Sequence, residues 1–267
     1  MPYATTGAVR LYYEIRGAGS PLLYLSGTGS DLRRPPNALE RQLAADFQVL
    51  MFDQRGLGQS DKPDCCYTMA GYAQDAAALL DAVRWPACPV LGYSFGGMVA
   101  QELALRFPER VERLTLLSTT SGGPGGSSYP YHELISLTPA QRARRMVELG
   151  DLRRDEQWQS ENPKLFQALQ AEALASIEFA AEETDHGMGE RRQLEARCGH
   201  DTWDRLPQLR LPVSVLGGRY DGVAAPACQE SLAGRIRGAA FKLFEGGHLF
   251  FLQDSRAYPR IRASLAG

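Results

Sequence analysis

The stretch VLGYSFGGMVA, residues 90–100, sets a single serine, Ser94, between two aromatic residues with a glycine beyond each. The apolar run at residues 88–93 is strand-sized, and after it Val99, Leu103 and Phe107 recur at helical spacing. Gly92, Ser94 and Gly96 therefore form a G-x-S-x-G motif in the strand-to-helix context that the motif requires. A turn this sharp strains the central residue, and small residues on both sides let neighbouring backbone pass close, so the hydroxyl projects above the sheet. The helix N-terminus adds free N–H groups and a positive dipole end, which suit a developing oxyanion. Serine is also a favoured helix N-cap, so the same residue has a purely architectural use.

Outward from Ser94, short apolar and β-branched runs at residues 9–15, 21–26, 48–52, 111–118, 212–217 and 239–244 read as further strands. Residues 38–45, 69–83 and 95–107 carry helical period between them. This alternation predicts an α/β fold, a mainly parallel sheet flanked by helices. The first run turns through GAGSP, residues 17–21, into the second and is expected to form an antiparallel edge. After residue 118 the alternation stops. TTSGGPGGSSYP, residues 119–130, reads as an irregular connection, and residues 139–149, 163–183 and 189–197 read as helices with no strand before residue 212. The expected organisation is a core of residues 1–120 and 203–267, interrupted by a helical insertion over 121–202. The insertion is either a lid over a site or packing decoration. Its Phe166, Leu169, Leu174, Ile177 and Phe179 either line an apolar pocket or form the helices' own core.

The composition narrows the partners. A formal net charge of -2 over 267 residues, with 44% hydrophobic and 22% charged residues, gives no field that would attract nucleic acid or an anionic membrane. A small-molecule substrate, neutral or largely apolar, fits better. No apolar run approaches the roughly 18 residues of a membrane span, and no apolar segment follows a basic start, so the chain is expected to be soluble and cytoplasmic. Five cysteines without framework-like spacing read as reduced thiols, and adjacent Cys65 and Cys66 lack the C-x-x-C arrangement of a redox pair. Monomer and homodimer both stay open.

A serine hydroxyl needs a base within hydrogen-bond reach and a third group to orient that base. Of the four histidines, His248 directly follows the last predicted strand, in FKLFEGGHLFF, whereas His132, His186 and His200 fall in or near the insertion and read as solvated or packing residues. Cys198 with His200 is too sparse for a zinc site. Asp221, in VLGGRYDGVAA, follows the penultimate strand in a glycine-rich loop; alone it would read as an Asx-turn residue, but at that strand end it can reach His248.

With Ser94, Asp221 and His248 in that chain order, the sequence resembles the α/β-hydrolase superfamily over nearly its whole length. FDQRGLGQSDKP, residues 52–63, also resembles that family's D-x-R-G-x-G-x-S loop, with Asp53, Arg55 and Ser60 as loop-fixing hydrogen-bond partners. Where family members commonly carry His-Gly after the second main strand, this chain has Ser26 and Gly27. The resemblance implies an oxyanion hole made by the backbone N–H groups of Thr28 and Phe95; Gly27 and Tyr93 are the expected pocket residues, and the Phe95 side chain, which also flanks Ser94, is a further candidate for the pocket wall. It implies two-step acyl transfer with no cofactor and no metal. Three readings remain: a carboxylic ester or lactone hydrolase, a hydrolase of carbon-carbon bonds, and a ligand-binding protein on a hydrolase scaffold.

Overall fold

Strands buried on both faces carry unbroken apolar runs, and such runs build the middle of this sheet. The computed structural model of the chain describes residues 2–266. Within them eight strands form one sheet: β1 (Tyr3–Thr6), β2 (Val9–Arg16), β3 (Pro21–Leu25), β4 (Gln48–Phe52), β5 (Cys88–Tyr93), β6 (Val111–Leu117), β7 (Val213–Gly218) and β8 (Ala240–Phe244). Their order is β1-β2-β4-β3-β5-β6-β7-β8. β2 runs antiparallel to both of its neighbours, and every other pair is parallel.

Side chains on the central strands alternate between two apolar layers, as the period of two dictates. Val90, Leu116 and Val215 face one layer; Leu91, Leu117 and Leu216 face the other. The helices are α1 (Ala38–Asp46), α2 (Met69–Ala82), α3 (Phe95–Arg106), α4 (Pro139–Gly150), α5 (Glu156–Glu161), α6 (Pro163–Glu178), α7 (His186–Cys198), α8 (Pro226–Arg235), α9 (Phe250–Gln253) and α10 (Ala257–Leu265). α2, α3 and α8 supply the first layer through residues such as Tyr72, Leu103 and Leu232, and α1, α9 and α10 the second through Leu43, Phe250 and Ile261. Each fully buried leucine contributes about 1.5–3 kcal/mol, which makes the two layers the main source of stability. The fold is the expected α/β one.

Between β6 and β7 lie α4 to α7 and no strand. The excursion begins and ends at one place, because Gly122 bridges to Asp201 and the Thr202 N–H donates to the Ser121 carbonyl at 2.9 Å. α4 starts where its sequence says it should: Thr138 and Gln141 form a capping box around Pro139 at the first helical position. α6 and α4 pack together, with Arg144 over the Phe166 ring and Trp158 edge-on to it, so Phe166 belongs to the insertion's own core. No helix among the described residues is long and apolar enough to cross a membrane.

Three local expectations change. β2 is not an edge: β1 pairs outside it, and β2 hydrogen-bonds to β4 rather than to β3, the strand that follows it. β1 has only four residues and buries only Ala4 and Thr6, too little apolar pattern to announce a strand. The helix expected over 163–183 ends at Glu178, beyond which Ala180 adopts φ +62° and the Phe179 ring lies under the Arg33 and Arg34 guanidinium groups.

Candidate active site

The turn after β5 is built from close contacts that only glycine allows. A Cβ on Gly92 would sit 2.5 Å from the Gly96 carbonyl oxygen, and one on Gly96 would sit 2.0 Å from the Leu25 carbonyl oxygen. Between them Ser94 takes φ 53° and ψ −116°, a conformation that costs a non-glycine residue roughly 1–3 kcal/mol. Four hydrogen bonds hold it there. Its N–H donates to the Leu117 carbonyl at 2.9 Å, and its carbonyl accepts from Thr119 Oγ1 at 2.8 Å, Gly97 N–H at 2.9 Å and Met98 N–H at 3.3 Å. Ser94 stands at the N-cap of α3, yet its hydroxyl makes no cap hydrogen bond. The architectural use of the serine is therefore not taken up.

The hydroxyl instead meets His248. Ser94 Oγ lies 2.9 Å from His248 Nε2, and His248 Nδ1 lies 2.9 and 3.0 Å from the two oxygens of Asp221. Backbone contacts set the imidazole: the His248 N–H donates to the Gly150 carbonyl at 2.7 Å, and its carbonyl accepts from Ser118 Oγ at 2.9 Å. Asp221 is fully buried, and its Oδ1 also accepts the Val223 and Ala224 N–H groups at 2.8 Å each. A carboxylate gripped by backbone donors has one orientation open to it, which fixes the ring of its histidine partner. Residues from three strand ends thus meet in one hydrogen-bonded chain.

Beside Ser94 runs the loop after β3. An ideal Cβ on Gly27 would be 3.6 Å from Ser94 Cβ and 3.0 Å from the Tyr93 ring, so this loop touches the serine. It is held from three sides: Gln54 Nε2 donates to the Ser26 carbonyl at 3.0 Å, the Leu32 N–H donates to Asp53 Oδ1 at 2.7 Å, and the Gly29 N–H donates to Gln193 Oε1 of α7 at 3.0 Å. Among the described residues nothing accepts from the Thr28 or Phe95 N–H. Asp53 also accepts the Gln59 N–H at 2.9 Å, Ser60 Oγ donates to the Asp53 carbonyl, and Arg55 pairs with Asp75. Burial pushes the Asp53 carboxyl up to about 6 against the N–H groups that pull it down.

Pocket expectations fare differently. The Phe95 ring points into the first apolar layer, 5.0 Å edge-on from Tyr72, so it is core and not a pocket wall. The Tyr93 ring packs on His248 at 5.2 Å and on Phe251, and it supports the imidazole from the opposite layer. A cavity of about 80 Å³ lies between the Thr28–Gly29 backbone and the insertion, and neither Gly27 nor Tyr93 lines it. Of the five insertion residues named from sequence, only Ile177 does. The rest of its wall includes Arg34, Arg142, His186 and Glu190, more polar than the apolar pattern implied. Gln193 and Arg34 were not among the expected site residues; the only sequence signal for Arg34 is its place in a loop at a strand's carboxyl end.

Of the remaining histidines, His200 is buried with Nε2 3.1 Å from the Thr120 carbonyl, and burial lowers it to about 4. His132 Nδ1 lies 3.0 Å from Cys198 Sγ. Among the described residues no group of three or more His, Cys, Asp or Glu side chains could hold a metal ion.

A mostly parallel sheet with a strained serine after its fifth strand defines a class, and the comparisons agree with it. The sequence profile described as alpha/beta hydrolase fold matches residues 20–255, so the chain belongs to the alpha/beta hydrolase family, and it is an enzyme. It is 29% identical over 252 residues to a putative carbamate hydrolase, RutD, of Azorhizobium caulinodans, covering 94% of this chain and 92% of that one. It is 36% identical over 128 residues to a 2-hydroxymuconate semialdehyde hydrolase of a Pseudomonas species, covering 47% of this chain and 44% of the relative. The crystal structure of an enol-lactonase from Burkholderia xenovorans superposes with a TM-score of 0.78 at 23% identity, covering 100% of both chains. That last likeness is one of fold.

Proposed function

We propose that this hydrolase is a serine enzyme that cleaves a carboxylic ester or lactone of a small molecule through an acyl-enzyme. The observation that carries the reading is the 2.9 Å approach of Ser94 Oγ to His248 Nε2 from a strained backbone conformation in which the hydroxyl makes no cap hydrogen bond. His248 Nε2 takes the hydroxyl proton as Ser94 Oγ attacks the substrate carbonyl, and the positive charge on the ring is stabilised by Asp221 against Nδ1–H. The carbonyl oxygen, now an oxyanion, accepts from the unengaged Thr28 and Phe95 N–H groups. When the intermediate collapses, His248 returns the proton to the departing alkoxide and the acyl group stays on Ser94. Water, deprotonated by the same imidazole, then releases the acid and restores the serine. In a lactone the departing alkoxide remains tethered to the acyl chain.

In the same reading, residues 121–202 are a lid on a core of residues 1–120 and 203–267. Ser94 and His248 are only 5% and 7% exposed, and a cavity of about 80 Å³ is well below the roughly 300 Å³ at which small-molecule sites begin. Substrate entry then requires α4 to α7 to move away from the sheet. Five thiols without a disulfide pattern suit a cytoplasmic enzyme.

A panel of aryl esters, alkyl esters, lactones and a vinylogous diketone, run on wild type and Ser94→Ala, tests the assignment. Ester or lactone turnover lost in the variant supports it; turnover that survives Ser94→Ala refutes it. The similarity to a semialdehyde hydrolase keeps a second reading in play, carbon-carbon bond hydrolysis, which wins if the diketone is cleaved and the esters are not. A binding protein on this scaffold would leave every member of the panel intact.

A further inference from the structure

The cavity under α6 and α7 holds more hydrogen-bonding capacity than the chain uses. Thr28 Oγ1, Arg34 Nε and His186 Nδ1 all belong to residues lining it, and each is buried without a partner among the described residues. Folded interiors leave few buried polar atoms unpaired, so three around one small cavity mark a surface shaped for a polar ligand.

The charge on that surface is positive. Arg142 is neutralised by an ion pair with Glu190, which also lines the cavity. Arg34 has no carboxylate within ion-pair distance among the described residues; its Nη1 donates to Ser176 Oγ at 2.6 Å and its Nη2 to the Ser176 carbonyl at 2.8 Å, both neutral acceptors. Asp31 and Glu190 act on it only at longer range. Two arginines and one glutamate in the wall leave one uncompensated positive charge. The guanidinium is also held still, because Ser176 grips its tip and the Phe179 ring lies 4.8 Å beneath it. A fixed, partly desolvated guanidinium with a free Nε–H is a site for a planar anion, and a single uncompensated charge matches a carboxylate better than a phosphate dianion.

We propose that Arg34, with Thr28 Oγ1 and His186 Nδ1, forms a subsite for a carboxylate carried by the substrate, so that the enzyme selects anionic esters or lactones over neutral ones. The proposal rests on the ester-hydrolase reading for its reaction, but the subsite has its own test. Thr28 follows Gly27, whose ideal Cβ would lie 3.6 Å from Ser94 Cβ, so the subsite adjoins the loop that touches the serine.

Two matched pairs probe it: 4-nitrophenyl hydrogen glutarate against 4-nitrophenyl methyl glutarate, with the charge on the acyl side, and 4-acetoxybutyrate against its methyl ester, with the charge on the alcohol side. Wild type is expected to favour the anionic member of one pair by about 10- to 100-fold in kcat/KM, the range of a charge-assisted hydrogen bond. In Arg34→Gln that ratio should fall to about 1, and in Arg34→Lys it should stay above 1. A ratio within one preparation is insensitive to the fraction folded. Equal turnover of both members by wild type, or an undiminished ratio in Arg34→Gln, overturns the proposal. If wild type cleaves no ester at all, the ester-hydrolase reading fails, and calorimetric titration with monomethyl glutarate decides the subsite. Binding weakened at least tenfold by Arg34→Gln supports it; binding that is equal in the two proteins, or absent from wild type, refutes it.

Discussion

The hydrogen-bonded chain at Ser94 and the cavity beside the Thr28–Gly29 backbone are built by opposite means. On the sheet side each group of the serine-histidine-aspartate chain has its partner: Asp221 takes two backbone N–H groups besides the imidazole, and His248 is tied through both its N–H and its carbonyl. Around the cavity, Thr28 Oγ1 and Arg34 Nε of the core and His186 Nδ1 of the insertion are buried and unpartnered, and so is Gln193 Nε2 of α7. Saturated hydrogen bonding fixes geometry in advance of any substrate, which is what bond-making chemistry requires. Unsaturated capacity costs stability unless a ligand supplies the missing partner, which is what recognition requires. In the proposed reading one half of the site is finished and the other is completed by what binds.

The largest effects should come from breaking the finished half. Ser94→Ala should lower ester kcat by about 10⁴- to 10⁶-fold with the melting temperature within a few degrees of wild type, read by stopped-flow kinetics and calorimetry. Asp221→Asn should cost about 10⁴-fold in kcat, because an amide facing Nδ1 favours the wrong tautomer of His248. Neither variant should alter a preference for anionic esters, so a changed ratio in Asp221→Asn would blur the division between the two.

A smaller effect lies in the loop after β3. Gln193→Leu keeps the volume of the side chain but removes the acceptor for the Gly29 N–H, so the loop that presents Thr28 loses its tie to α7. About a tenfold fall in kcat, with KM within about threefold, is expected from one lost buried hydrogen bond. A lower melting temperature with unchanged kcat would make the contact structural only.

The smallest effect concerns pH. His200 is neutral in the fold down to about 4, against an ordinary value of 6.5, so the unfolded chain binds a proton first as the pH falls. Its contribution is fully present above pH 6.5 and is lost progressively toward pH 4, at a limit of about 3 kcal/mol. Denaturant titrations at pH 7 and pH 5 should show a loss in wild type that is reduced in His200→Gln. An identical pH dependence in the two proteins would contradict the assignment.

What could be read from the sequence follows the same division. The elbow was legible because Gly92 and Gly96 stand where a Cβ would strike backbone, and Asp221 and His248 were legible because each follows a strand by a few residues. Tyr93 and Phe95 do not form a pair of pocket walls because the left-handed turn at Ser94 lies between the end of β5 and the start of α3 and sends their rings apart: one backs the imidazole, the other fills the layer beneath α3. Arg34, His186 and Gln193 come from different elements and converge only in three dimensions, so no local pattern announces them. The polarity of the cavity was hidden for the same reason. The insertion's apolar residues were visible in sequence, while Arg34, which gives the cavity its charge, enters from the core.

The central claim is that Ser94 is the nucleophile, and mass spectrometry after treatment with a fluorophosphonate tests it most directly. One adduct per chain is predicted, on the peptide carrying Ser94, with ester turnover falling in proportion to labelling and no adduct on Ser94→Ala. An unmodified Ser94 in protein whose turnover has been abolished, or full turnover by a stoichiometrically labelled chain, would contradict it.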